Sequence, residues 1–230
     1  MSKYLEWEIK YTMINRLIYK MLPFLSKKSY PYLQENINGE GNQINVNRTK
    51  FKNSILRIKG NNNQIVFEEE CSFHQLLVYI KGDNNTIHVS KNVRLNKSGE
   101  FWIEDNNCSI NIGSNTTFEN VHIAATENKS KISIGENCMF ASDIDIRTGD
   151  SHSILDNLTK QRLNYAQDVF IGNHVWVASH VSILKGSILS EDSVVATRSI
   201  VTKHFNKNVL IGGAPAKVLK ININWDRERL

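Results

Sequence analysis

The 230-residue chain carries 28 basic and 23 acidic residues, a formal net charge of +5, scattered rather than gathered into the dense runs of a nucleic-acid arm. No nucleic-acid partner is expected, and a phosphorylated small molecule is the more natural anionic ligand. Cys71, Cys108 and Cys138 are odd in number, far apart and without CxxC spacing, and Cys138, four residues after Ile134 in a column of small residues, points to a buried free thiol and a reducing cytoplasm. The N-terminus lacks the uninterrupted apolar core of a leader, and no run approaches the ~18 residues of a membrane span. A soluble protein is expected, cytoplasmic or at most peripheral at the inner face of a membrane.

Residues 3–22, KYLEWEIKYTMINRLIYKML, set Leu5, Ile9, Met13, Leu17 and Met21 four apart, the period of an amphipathic helix that ends at Pro23. One reading makes residues 1–36 a helical cap over the open end of the fold, covering its unpaired backbone groups. The other lays the helix on a membrane surface.

From residue 39 to 134 a loose repeat follows: GEGNQINV, GNNNQIVF, GDNNTIHV, DNNCSINI and ENKSKISI, centred on Ile44, Ile65, Ile87, Ile110 and Ile132 at intervals of 21 to 23 residues. Gly, Asn and Asp tolerate the left-handed backbone of a tight corner, and the alternating tails read as half-buried strands. An Asn at one corner of successive coils would build a hydrogen-bonded ladder.

From Ile134 through Phe140, Ile146 and His152 the period is six, and residues 153–168 interrupt it as an excursion loop. Loops of this length in a compact fold usually serve function or reach a neighbouring subunit. The hexads resume as Ile171, Val177, Ile183, Leu189, Val195 and Val201, followed four residues later by Val175, Val181, Ser187, Ser193 and Ser199. Neither helix nor ordinary strand has that period. It belongs to a chain that turns a third of a circle every six residues, so that eighteen make one coil stacked at roughly 4.8 Å on the next. The fold class is therefore an all-β solenoid, a parallel β-helix over residues 37–210, and residues 211–230 form a tail folded over the last coil.

Positions eighteen apart lie on top of one another. Ala178 and Ala196 would leave a shallow groove for a thin extended ligand, and Lys185 and Lys203 would bring two cations together around a phosphate; such a groove suits the arm and phosphates of coenzyme A. The plainer reading is ordinary corner residues and solvated lysines. His152 stands where an aliphatic should be, with Asp145 and Asp150 nearby, and a histidine with a carboxylate to hold its tautomer can deprotonate a sugar hydroxyl. His152 and Asp150 form the expected catalytic group, and Asp145 and Arg147 join the acceptor side. Trp176 points outward, free to stack on a sugar or an acyl chain. His174 and His180, six apart, leave from different corners of the prism, so no metal is expected.

IRTGDSHSI (146–154), IGNHVWVASHVSILKG (171–186), SVVATRSIVTK (193–203) and IGGAPAKVLK (211–220) together closely resemble the hexapeptide-repeat O-acetyltransferases that modify bacterial capsule, lipopolysaccharide and sialic-acid-containing polymers. The resemblance implies a left-handed β-helix and direct transfer from acetyl-CoA to a sugar hydroxyl. It makes His152, of the DSH motif, the general base and sets Trp176, of the VW motif, beside acceptor and thioester. Ala178, Ala196, Thr197, Arg198, Lys203, Pro215 and Lys217 match segments that hold the coenzyme; Ala178 stands where the family commonly has Gly. It also implies a homotrimer with sites between two prisms, so that Trp176 of one copy meets His152 of another. An N-acetyltransferase acting on an amino sugar and a non-catalytic carbohydrate-binding β-helix are the alternatives.

Overall fold

A chain that turns every six residues can pair its backbone N–H and C=O groups only with the coil above and the coil below. The computed structural model, which describes residues 33–229, is built this way. One wall stacks eight parallel strands, which define coils 1 to 8: Gln43–Val46, Gln64–Phe67, Thr86–Val89, Ser109–Ile112, Lys131–Ile134, Val169–Ile171, Ile188–Leu189 and His204–Phe205. Its register aligns Ile44, Ile65, Ile87, Ile110 and Ile132, so the loose repeat is a set of coils as expected.

The second and third walls form one sheet, because Arg94–Glu104 and Thr117–Thr126 run round the corner between them unbroken. The second wall carries Met139–Phe140, Trp176–Val177 and Val194–Val195; the third carries Ser54–Lys59, Leu76–Lys81, Ile144–Arg147 and Ser182–Ile183. A further third-wall strand, Leu33–Asn38, pairs with Ser54–Lys59, so β-structure begins inside the segment assigned to the cap. The helix predicted over residues 3–22, and with it any membrane contact, lies outside the described residues. Among the described residues no helix is long and apolar enough to cross a membrane.

The inward columns explain the period. Ile171, Val177, Ile183, Leu189, Val195 and Val201 are all at most 3% exposed, and Val175, Val181, Ser187, Ser193 and Ser199 are fully buried. The buried hydroxyls are satisfied locally: Ser187 donates to the Val201 carbonyl at 3.0 Å and Ser199 to that of Ala196 at 2.6 Å. The longer coils have room for rings, with Phe118 stacked on Phe140 at 4.7 Å and Phe67 edge-on to Phe73 at 5.1 Å. All three cysteines are free and buried, and burial pushes the thiols of Cys71 and Cys138 up to about 11. They remain protonated and act as small apolar residues.

Corners demand a left-handed residue in every coil. Between the first and second walls this is Arg48, Glu70, Asn92, Asn115, Asn137, His174, Asp192 and Asn208, with φ from 44° to 60°. At the corner before the first wall the expected ladder is present and double. Asn42 Oδ1 accepts from the Asn63 amide N–H, Asn63 Oδ1 from that of Asn85, and Asn85 Oδ1 from that of Cys108, at 2.8 to 3.0 Å. Outside it, Asn61, Asp83, Asn106 and Asn128 each accept from a backbone N–H of the preceding coil.

Removing one rung leaves a buried donor without a partner. Asn85→Ala should cost about 1–3 kcal/mol of stability in urea unfolding; a midpoint equal to wild type would show that the ladder is not a stabilising element.

Candidate active site

The excursion is a small hairpin with an ordered stem. Leu155 bridges Arg162 in antiparallel fashion, and Asp156 Oδ1 closes the tip by accepting from the amides of Leu158 and Thr159 at 2.9 and 2.7 Å. Arg162 lies on Glu127, which ties the stem to coil 4, and on the ring of Tyr165 at 5.1 Å. Asn164, 8% exposed, is the hub: its Oδ1 accepts from Ile154 N at 2.7 Å, and its Nδ2 donates to Asp150 Oδ2 and to the His152 carbonyl, each at 2.8 Å.

Three expectations change here. His152 was placed in an inward column, but the chain has left the prism by Asp150, and His152 is exposed. Asp150 was paired with His152, but its carboxylate is bound by Lys185 and Asn164, which together hold its pKa below the usual carboxylate value. Lys185 thus pins the base of the loop, also donating to the Asn164 carbonyl at 3.1 Å, instead of facing Lys203 around a phosphate. Lys203 stands over the Phe205 ring at 5.5 Å, at the far side of the third wall from Ala178 and Ala196. The two halves of the expected coenzyme groove therefore sit at different corners.

The alanine half is intact and longer than expected. Trp176 pairs with Val194 and Val177 with Val195, so Ala178 lies over Ala196. Gly212 continues the column: a Cβ there would meet the Ala196 Cβ at 3.0 Å and Leu219 Cδ1 at 2.8 Å. It escaped the sequence reading because the last coil is two residues short, with Val194 opposite Leu210. Lys217 lies opposite Gly212 on the returning strand Ala216–Ile221, and Pro215 is in the turn between them. Thr197 donates to the Ser179 carbonyl at 2.8 Å, and Arg198 is the exposed left-handed residue of that corner.

The tail does not stop at the last coil. Trp225 stacks on His174 at 4.3 Å and donates from Nε1 to the His174 carbonyl at 2.8 Å, while its ring lies 6.0 Å from that of Trp176. Arg227 reaches coils 4 and 5, donating to Thr117 Oγ1 at 3.0 Å and to the Cys138 carbonyl at 2.8 Å. His174 and His180 stand at separate corners, paired with Asp192 at 2.9 Å and Asp143 at 3.2 Å. Trp176 and His152 do not meet in one chain: the first opens the second wall, the second lies past the third.

One cluster was missed. His122 Nδ1 lies 3.0 Å from Asp145 Oδ1, its Nε2 lies 3.7 Å from Glu100, and Arg147 donates to both Asp145 oxygens at 2.8 Å. Burial opposes the charge on Asp145, but the hydrogen bonds from His122 and Arg147 outweigh it and hold the carboxyl below its usual value. Glu100, His122 and Asp145 are 22 and 23 residues apart, the same intervals as the loose repeat, so extending that register onto the third wall would have found them.

No protein-family model matches the chain. Among proteins of known name, a polysialic acid O-acetyltransferase of Neisseria meningitidis is 36% identical over 202 residues, covering 87% of this chain and 91% of the relative. The chain belongs to the hexapeptide-repeat O-acetyltransferases. Crystal structures agree. That of the polySia-specific acetyltransferase NeuO superposes with a TM-score of 0.81 at 32% identity, covering 86% of this chain and 91% of the other. That of the polysialic acid O-acetyltransferase OatWY gives 0.80 at 34%, covering 86% and 93%. As a member of this family the protein is an acyltransferase.

The Asp150–Lys185 pair gives a pH test. The depressed carboxyl favours the folded loop above the unfolded carboxylate value, and that contribution is lost as pH falls through the folded value. Lys185→Met should move the Asp150 titration, read from its carboxyl carbon shift, back toward the ordinary carboxylate range; an unmoved titration would mean the ion pair does not form in solution.

Proposed function

We propose that the protein transfers an acetyl group from acetyl-CoA to a hydroxyl of a bacterial surface polysaccharide, capsule or lipopolysaccharide. It does so as a cytoplasmic or membrane-peripheral homotrimer of left-handed prisms. The observation that carries this reading is the stacked pair Ala178–Ala196, with Gly212 next in the column under Leu219 and Lys217 opposite it, in a chain of this family. Two stacked positions without a branched side chain let a thin pantetheine arm lie against the backbone. Pro215, Thr197, Arg198 and Lys217 flank the stripe, and the cations suit the nucleotide phosphates. Lys203 is left with a role away from this groove.

His152 is the general base. Its exposed imidazole takes the proton of the acceptor hydroxyl as that oxygen attacks the thioester carbonyl. Backbone amides stabilise the tetrahedral oxyanion, which collapses to the acetyl ester and the coenzyme thiolate; the imidazolium returns the proton to the sulfur. Asp150 acts through Asn164 and Lys185, as a positioning residue that fixes the main chain on either side of His152. Trp176 of a neighbouring copy closes the site, which agrees with the separation of the two residues within one chain. The excursion hairpin supports the trimer: Leu155, Leu158 and Leu163 are 54%, 90% and 62% exposed, apolar side chains that a second prism would cover.

His152→Ala should lower kcat by roughly 10²–10⁴ with an unchanged melting temperature, and full activity would remove the base. Ala178→Leu should raise KM for acetyl-CoA by about tenfold or more through a clash in the groove, leaving acceptor KM alone; an unchanged coenzyme KM would move the groove elsewhere. Co-assembly of His152→Ala chains with Trp176→Ala chains should recover activity that neither has alone, and no recovery would contradict a site shared between copies.

A further inference from the structure

The third wall holds a trough that leads to His152. A cleft of about 470 Å³ is lined by Gln75, Leu77, Glu100, His122 and Asp145, and an adjoining one of about 340 Å³ by Trp102, Ala124, Arg147 and Ser151. They share Glu100 and His122. A third, of about 300 Å³, shares Glu104, Thr126 and Ser151 with the second and reaches Ser153. The trough thus runs across the wall and ends on the two residues that flank His152.

Its floor follows from register. Tyr79, Trp102, Ala124 and Arg147 form one outward column, in which Tyr79 stacks under Trp102 with ring centres 4.0 Å apart. Ala124 is the single small member, and the gap it leaves lies between a braced indole and a guanidinium bound at two points by Asp145. An indole face offers the apolar surface on which the C–H face of a pyranose rests. The neighbouring column supplies Glu100, His122 and Asp145, acceptors and donors suited to vicinal hydroxyls.

Charge narrows the ligand further. Six carboxylates line the trough against three cations besides His122, and two of those cations, Arg147 and Arg162, are already bound to Asp145 and Glu127. A carboxylated sugar would meet an excess of like charge, whereas hydroxyls donate to carboxylates well.

We propose that this trough is the acceptor subsite and that it takes an uncharged, hydroxyl-rich saccharide chain, unlike the polysialic acid for which the relatives are named. The inference rests on the O-acetyltransferase reading above and concerns only what is seated beside His152. Trp102 and Glu100 bind and orient the acceptor without touching the reacting atoms.

The test compares wild type, Trp102→Ala and the nearly isosteric double variant Glu100→Gln/Glu104→Gln. Labelled acetyl-CoA is the donor, and neutral oligosaccharides of glucose, galactose and N-acetylglucosamine are set against oligosialic acid. Wild type should show kcat/KM at least about tenfold higher for the best neutral acceptor. Trp102→Ala should raise the KM of that acceptor by about tenfold without changing the KM for acetyl-CoA, and the double variant should improve use of oligosialic acid. Preference of wild type for oligosialic acid, or an acceptor KM indifferent to Trp102→Ala, overturns the subsite while the acetyltransferase reading stands. Acetyl transfer to none of these sugars overturns both.

Discussion

Backbone pairing between successive coils is the constraint on which the rest depends. Once each coil must present its N–H and C=O groups to the next at one strand spacing, every side chain has a fixed neighbour one coil away. The chain then becomes a set of columns. Inward columns must be apolar or self-satisfied, which is why Val, Ile and Leu alternate with buried serines whose hydroxyls return to nearby carbonyls. Corner columns must accept left-handed backbone, which selects Asn and Asp and recruits their side chains into ladders along the axis. Outward columns are free of both demands, and function is written there.

Two outward columns carry the account. Ala178 and Ala196 make a stripe thin enough for a linear cofactor arm, and Tyr79, Trp102, Ala124 and Arg147 make a floor broad enough for a ring. The imidazole of His152, the proposed base, belongs to neither. It sits where the chain abandons the prism, on a stem fixed by Asn164, Lys185 and the Arg162–Glu127 pair. In the proposed mechanism a rigid scaffold holds both substrates while a locally braced loop supplies the base, so that the reacting group is positioned by hydrogen bonds rather than by packing.

The fold was legible because its period is a physical consequence of pairing: six-residue spacing from Ile171 to Val201, and 21 to 23 from Ile44 to Ile132, state the coil lengths directly. Trp176, Ala178 and Ala196 were legible for the same reason. Contacts made across an irregular segment were not. Nothing in spacing says that Lys185 turns from Lys203 to Asp150, because that choice is made by an excursion whose path obeys no period. Gly212 and the His122 cluster lay between these extremes, hidden only by a shortened last coil and by a register that was followed along one wall and not the others. The tail illustrates a third limit: Arg227 reaches back to the Cys138 carbonyl, which already accepts from the Thr117 amide and takes the guanidinium on its second lone pair, a contact visible only once the coils are built.

The central claim is that this prism makes an ester on a sugar. The most direct measurement is acetyl transfer from carbon-13-labelled acetyl-CoA to isolated surface polysaccharide, with the product examined by NMR before and after mild alkali. The account predicts one labelled acetyl resonance on a sugar carbon bearing oxygen, lost on alkaline treatment. A label that survives alkali as an amide, or coenzyme turnover with no label on the glycan, would contradict it.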